Sequence, residues 1–175
     1  DAQINHLPGL QEMLQEVKPR YGKFAVTGNH EYYAGLDKAL EFTRAENGVR
    51  AGARCAMIFG DFAHQQELMI SPEVFRRVLR PLLEEFVSRL KAINPEVLVF
   101  LHSDGNLSAV LQDLIECGFA AVHPIQPECM DMAAVKRQYG DVLTLFGGIS
   151  VQSELPRSKP EAIRSIVRKR IEELG

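Results

Sequence analysis

The chain is short of most features that mark a specialised protein, and each shortage excludes a class. No apolar run approaches the roughly 18 residues that span a bilayer, so no membrane-spanning helix is expected. The N-terminus lacks the charged-then-apolar pattern of a secretory signal, and a cytoplasmic location is expected. Three cysteines, Cys55, Cys117 and Cys129, cannot all pair and show no C-x-x-C spacing. They read as free thiols in a reducing cytosol rather than as a disulfide framework. Charge of one sign is also scarce. Twenty basic and 23 acidic residues are interspersed and leave a net charge of −3, which offers nucleic acid no basic surface. Internal repeats, low-complexity tracts and long linkers are missing. The first residue is Asp1 rather than Met, which suggests a chain cut from something longer.

What is present is ordinary in bulk. A length of 175 residues, 46% hydrophobic and 25% charged, suits one globular domain with a sizeable core. Apolar spacing predicts helices over Leu7–Val17 and Leu36–Ala45, the second closed by Asn47 and Gly48. Short apolar strands are expected at Phe24–Thr27, Cys55–Phe59, Val97–Leu101, Ala120–His123 and Val142–Phe146. Ser71, Pro72 and Glu73 supply an N-cap, a first-turn Pro and an acidic first turn. The helix they open carries Val74, Val78, Leu82, Phe86 and Leu90 along one face, with Pro81 as its kink. Further helices are expected at Leu107–Cys117, with Gly118 as a stop, at Met132–Tyr139, and from Pro160 with the stripe Ile163, Ile166, Val167 and Ile171. Strands alternating with helices predict an α/β fold of parallel βα units. Phe24–Thr27 is expected to add in parallel beside Cys55–Phe59, because sequential units usually neighbour each other.

Two motif groups carry chemistry. The first is Gly28-Asn29-His30-Glu31, fed by an apolar strand and followed by Tyr32, Tyr33, Ala34 and Gly35. It resembles the G-N-H-[DE] loop of calcineurin-like metallophosphoesterases. That resemblance implies Asn29 as a metal ligand and His30 as a phosphate contact in a binuclear site. It covers residues 1 to about 50. The family's upstream D-x-H and downstream G-H-x-H do not occur, so the loop is expected to be a signature without a site.

The second group runs from Ala51 onward. It comprises Ala51-Gly52-Ala53 before a strand ending in Gly60-Asp61, Ile70 to Phe75 with Pro81, and His102-Ser103-Asp104-Gly105-Asn106. Glu116 to Ala120, Lys136 with Tyr139-Gly140-Asp141, and Leu145 to Ile149 follow in order. These resemble the uroporphyrinogen decarboxylase superfamily, which includes corrinoid-linked methyltransferases. The resemblance implies a partial TIM barrel, half-barrel-like, over residues 51–175, with residues 1–50 as an added N-terminal βα unit. The texture changes at Gly48–Arg54, where a seam between the two is expected.

A barrel places its chemistry at the C-terminal ends of its strands. Four successive predicted strands are followed by polar residues: Asp61 and His64, His102 and Asp104, Gln126 and Glu128, and Gln152. Asp61, His102 and Asp104 are the candidate catalytic groups, and His64, Gln126, Glu128 and Gln152 the candidate substrate-binding ones. Asp104 with Gly105 and Asn106 also has the look of a start for the next helix. The resemblance implies either cofactor-free decarboxylation of an acidic tetrapyrrole or methyl transfer with zinc held by a His-x-Cys pair and a further Cys. Asp104 stands where that Cys would be, so thiolate zinc is not expected. A divalent ion on His102, Asp104 and Glu128 is the alternative to a plain hydrogen-bonding substrate pocket, and Cys129 lies next to Glu128. No cofactor beyond that ion is expected.

The expected partners are a small-molecule substrate or a corrinoid protein in the intact parent, with neither nucleic acid nor membrane. Open sheet edges would allow a homodimer. The isolated chain is expected to be inactive. The other readings are a metallophosphoesterase fragment and a chimeric or designed non-catalytic α/β protein.

Overall fold

A computed structural model describes residues 23–27 and 43–175. The helix expected at Leu7–Val17, the first part of the one expected at Leu36–Ala45, and the Gly28–Glu31 loop with Asn29 and His30 lie outside the described residues. Five parallel strands form one open sheet in sequential order: β1 (Lys23–Thr27), β2 (Ala53–Phe59), β3 (Leu98–His102), β4 (Ala121–Ile125) and β5 (Thr144–Gly147). That order, each strand next to its predecessor, is the order of a barrel rather than of a doubly wound sheet. As expected, β1 adds beside β2, with Phe24 opposite Cys55 and Thr27 opposite Ile58.

The helix α1 (Thr43–Arg50) precedes β2. Asn47 and Gly48 do not stop it, contrary to expectation. Ala45 and Val49 on either side are buried in the core, and that burial carries the helix through a weak dipeptide. The chain turns only at Gly52, whose φ of +94° suits a residue without Cβ.

Ser71 caps the next helix, its side chain accepting from the Val74 N–H. One turn (Pro72–Val74) leads into a π-helical turn (Phe75–Leu79) and then α2 (Arg80–Ile93). Pro81 explains the wide turn. It cannot donate to the carbonyl four residues back and its ring crowds that carbonyl, and the i→i−5 bond from Arg80 N–H to Phe75 O relieves both. The extra residue rotates the first turns relative to α2. Phe75 is therefore fully buried and Val78 is 45% exposed, which corrects the stripe expected at Val74 and Val78.

A 3₁₀ turn (Ser108–Val110) leads into α3 (Leu111–Cys117), which ends at Gly118 with φ +92°. Then come α4 (Met132–Tyr139), the short α5 (Glu154–Arg157) and α6 (Pro160–Leu174). One apolar cluster joins Ala56, Ile58, Val99, Leu101 and Val122 of the strands to Leu83, Phe86, Leu90, Leu111 and Leu114 of the helices. Successive strand residues point to opposite sides. Cys55, Met57, Phe59, Phe100, His102 and His123, on the other side, are only half-buried, and Phe146 is 54% exposed. This second side is the one that a closed barrel turns inward. The stripe on α6 is not buried either: Ile171 is 65% exposed, while Arg170 bonds the Gly148 carbonyl and Glu154 and Leu174 packs partly buried against the core.

Candidate functional site at the strand ends

The strand ends bring together three of the residues expected there. Asp61 follows β2, His102 ends β3, and Asp104 lies two residues further on. One ligand atom from each falls within 4.8 Å of the other two. The loops that carry them are built from backbone and buried hydroxyl contacts. The Asp61 carboxylate accepts from the Asp104 N–H at 3.0 Å, which ties the two loops together. Ser103, fully buried, accepts from the Phe62 N–H at 3.0 Å and donates to the Asp104 carbonyl at 3.1 Å. Asp104 does not cap the next helix; Asn106 instead accepts from the Ser108 N–H at the 3₁₀ turn.

The other expected residues serve the loops. Gln126 uses its side-chain oxygen on the Gly105 N–H at 2.7 Å and on the Cys129 thiol at 3.3 Å. Gln152 accepts from Gln65 at 2.8 Å, so the loops after β2 and β5 meet across the ends of β3 and β4. His64 accepts from the Gln66 N–H at 3.3 Å within its own exposed loop. Glu128 accepts from the hydroxyls of Ser150 and Ser153. Its carboxylate therefore braces the β5 loop, and Asp61 takes the third place beside His102 and Asp104. A cleft of about 530 Å³ lined by residues 66–72, Asn106, Ser108 and Ala109 lies beside this cluster and includes none of its three members.

A fourth group was not expected from the sequence. His123 on β4 pairs in register with His102 on β3, and their Nδ1 atoms lie 2.7 Å apart. The two ring centroids lie 4.9 Å apart with planes inclined by 30°, Phe59 packs on His102 at 4.4 Å, and Phe146 on His123 at 5.2 Å. One ring from each of four successive strands thus forms a ladder just below the Asp61–Asp104 loops. Burial lowers the basicity of His123, the neighbouring His102 lowers it further, and Asp104 works the other way. The signal in the sequence is a histidine in each of two successive strands, legible only once their register is known.

The thiols of Cys129 and Cys117 are shifted in the same direction. Burial raises the Cys129 thiol above its ordinary range, Glu128 and Asp104 raise it further, and it donates to Gln126. Cys117 is pushed up to about 11, chiefly by burial.

Residues 20–175 match the uroporphyrinogen decarboxylase (URO-D) family. The chain belongs to that family. It is 30% identical over 130 residues to the methylcobamide:CoM methyltransferase MtaA of Methanosarcina barkeri, covering 73% of this chain and 36% of the relative. Its fold is shared by a methyltransferase from Methanosarcina mazei, which superposes with a TM-score of 0.69 at 21% identity over 95% of this chain and 54% of that one. A separate match, 52% identical over 44 residues, is to an uncharacterized metallophosphoesterase of Aquifex aeolicus, 25% of this chain and 17% of the relative. Both resemblances drawn from the sequence are thus found in one chain. The match to the methyltransferase relative spans about a third of that protein's length. Among the described residues no helix is long and apolar enough to cross a membrane.

Proposed function

We propose that this chain carries the C-terminal strand-end site of a corrinoid-linked methyltransferase, in which Asp61, His102 and Asp104 bind one divalent ion. The observation that carries this is the convergence of those three donors from two strand ends within 4.8 Å. In a tetrahedral site with bonds near 2.1 Å the donors lie about 3.4 Å apart, so binding would draw the three side chains closer together. The His-x-Cys zinc pair of the family is not matched, since Asp104 stands at the cysteine position, and the Cys129 thiol is engaged by the Gln126 side-chain oxygen. The nitrogen and carboxylate donors fit zinc or a harder divalent ion. When bound, such an ion would favour the thiolate form of an acceptor thiol. The chain's own residues hold the two loops (Asp61 to the Asp104 N–H), lock the β3 loop (Ser103 and Gln126), and brace the β5 loop (Glu128).

Methyl transfer takes precedence over tetrapyrrole decarboxylation, the other chemistry of the superfamily, because the relatives matched over most of this chain are methyltransferases. The partner would be a corrinoid protein, the compartment the reducing cytosol, and a second copy could pair at the open edges of the sheet. The chain alone should be inactive, because among the described residues the side of the sheet that a closed barrel turns inward is only partly covered. One phosphoesterase-like ligand, Asn29, and one phosphate contact, His30, would not hold a binuclear centre.

Calorimetric titration with Zn²⁺ and Co²⁺ tests the proposal. One equivalent should bind, the Co²⁺ adduct should lack a sulfur charge-transfer band, and His102→Ala and Asp104→Ala should each abolish binding. Absence of binding in the folded wild-type chain, or binding that both variants retain, would overturn it. Tight binding of a carboxylated tetrapyrrole lost on Asp61→Ala would favour the decarboxylase chemistry instead.

A further inference from the structure

We infer that His123 is a positioning residue for His102: it engages His102 Nδ1 in a direct hydrogen bond and so leaves Nε2 as the nitrogen His102 can offer to a ligand. The inference rests on the proposed metal site only for what Nε2 would meet; the pairing itself is independent of any ion.

The geometry separates a hydrogen bond from shared ligation. Two nitrogens on one tetrahedral ion with bonds of about 2.05 Å lie about 3.3 Å apart. The observed Nδ1–Nδ1 separation is 2.7 Å, too short for that and right for a proton between them. A neutral imidazole has one N–H, so only one of the two rings can place its hydrogen at Nδ1. The rings must therefore take opposite tautomers. When His102 is the donor it carries Nδ1–H and a bare Nε2, while His123 accepts at Nδ1 and carries its hydrogen at Nε2. Histidine ligands usually have their second nitrogen fixed by a carboxylate or a backbone carbonyl; here a second histidine on the next strand takes that part. The ladder holds both rings in the required planes, since Phe59 and Phe146 pack on their outer sides. In-register pairing of His102 with His123 sets their heights along the sheet.

Long-range ¹H–¹⁵N spectra of the metal-free chain at roughly pH 8, where imidazoles are neutral, read the tautomers directly. The expected result is one Nδ1–H ring and one Nε2–H ring, assigned to His102 and His123 by single-site variants. Adding Zn²⁺ should place the Nδ1–H on His102. His123→Phe should release His102 to the Nε2–H form that dominates in solution and weaken Zn²⁺ binding roughly 10- to 100-fold. His123→Asn, whose amide oxygen can accept from Nδ1–H, should restore the tautomer and most of the affinity. Two Nε2–H rings in the wild-type spectrum, or a His102 tautomer indifferent to His123→Phe, would overturn the inference even if metal binds. Opposite tautomers without any metal binding would uphold the pairing and sink the metal site alone. If His123→Phe does not fold, the wild-type spectrum and His123→Asn still decide it.

Discussion

The two sides of the sheet are made from adjacent residues and have opposite fates. On the helix-covered side Ala56, Val99, Leu101 and Val122 are fully buried in one apolar cluster. On the other side Met57, Phe59, Phe100, His102 and His123 are half-buried, and the strand-end chemistry gathers there. One side holds the fold and the other, among the described residues, is only partly covered, so the stability of the chain should come from the first. The sharpest way to break this comparison is a pair of neighbours on β3. Leu101→Ala should cost about 3 kcal/mol in denaturant unfolding, the loss of a buried leucine plus its cavity. Phe100→Ala, although it removes a larger side chain, should cost only about 2 kcal/mol because part of the residue is already exposed. Equal losses would mean that both sides are covered in solution.

The helical layer has its own polar anchor. Asp113 on α3 is 4% exposed and accepts from Arg76 at 3.0 and 3.1 Å and from Arg80 at 2.8 Å, which ties the π turn and the start of α2 to α3. Burial alone would raise its carboxyl, but the hydrogen bonds and charges of the two arginines outweigh it and hold the group below its ordinary value. Asp113→Asn should therefore cost about 2 kcal/mol at neutral pH, less than a fully buried pair because the arginines reach water. A carboxyl lowered in the folded state contributes stability above its unfolded pKa and loses it as pH falls through the folded one. The gap between wild type and variant should be full above about pH 5 and shrink as pH falls below about 3.9. A gap that persists at low pH would show that Asp113 acts by packing rather than by charge.

Local signals carried much of this architecture. Ser71-Pro72-Glu73 reads as a helix start and is one, and Met132–Tyr139 matches its apolar spacing residue for residue. The parallel strands follow from short apolar runs between helices. Asn47 and Gly48 mislead because the burial of Ala45 and Val49 is a tertiary effect that no dipeptide reveals. Val78 misleads because a π turn inserts a residue into the helical period, and only Pro81 hints at it. Position at a strand end pointed to Asp61, His102 and Asp104, whose ligand atoms the fold brings within 4.8 Å of one another. The same rule placed Glu128 in a ligand set although Ser150 and Ser153 occupy its carboxylate. His123 needed the register between β3 and β4, which periodicity does not give.

A third test concerns how the open side keeps its loops in place. Gly105 has φ +90°, and a Cβ there would lie 2.5 Å from the His64 carbonyl oxygen, so the β2 loop rests directly on this residue. Gly105→Ala combines a left-handed backbone with a clash against main chain and should cost about 1.5 kcal/mol. The larger consequence is local: the Asp104 loop must lift away from Asp61. Zn²⁺ binding should weaken at least tenfold while the far-ultraviolet spectrum stays unchanged. Unaltered metal affinity would show that Asp61 and Asp104 are not held in register by this contact.

The smallest effect is expected where the ladder ends. Phe146 is 54% exposed and touches His123 with one face of its ring. Phe146→Ser removes an aromatic contact of about 0.5 kcal/mol and little else, so the melting temperature should move by only a degree or two. Because the ring is part of the uncovered side, its removal should also reduce self-association at high concentration, seen as a narrower sedimentation profile. A loss above about 2 kcal/mol would mean that Phe146 is packed against something in solution, and the uncovered side of the sheet would then have an occupant.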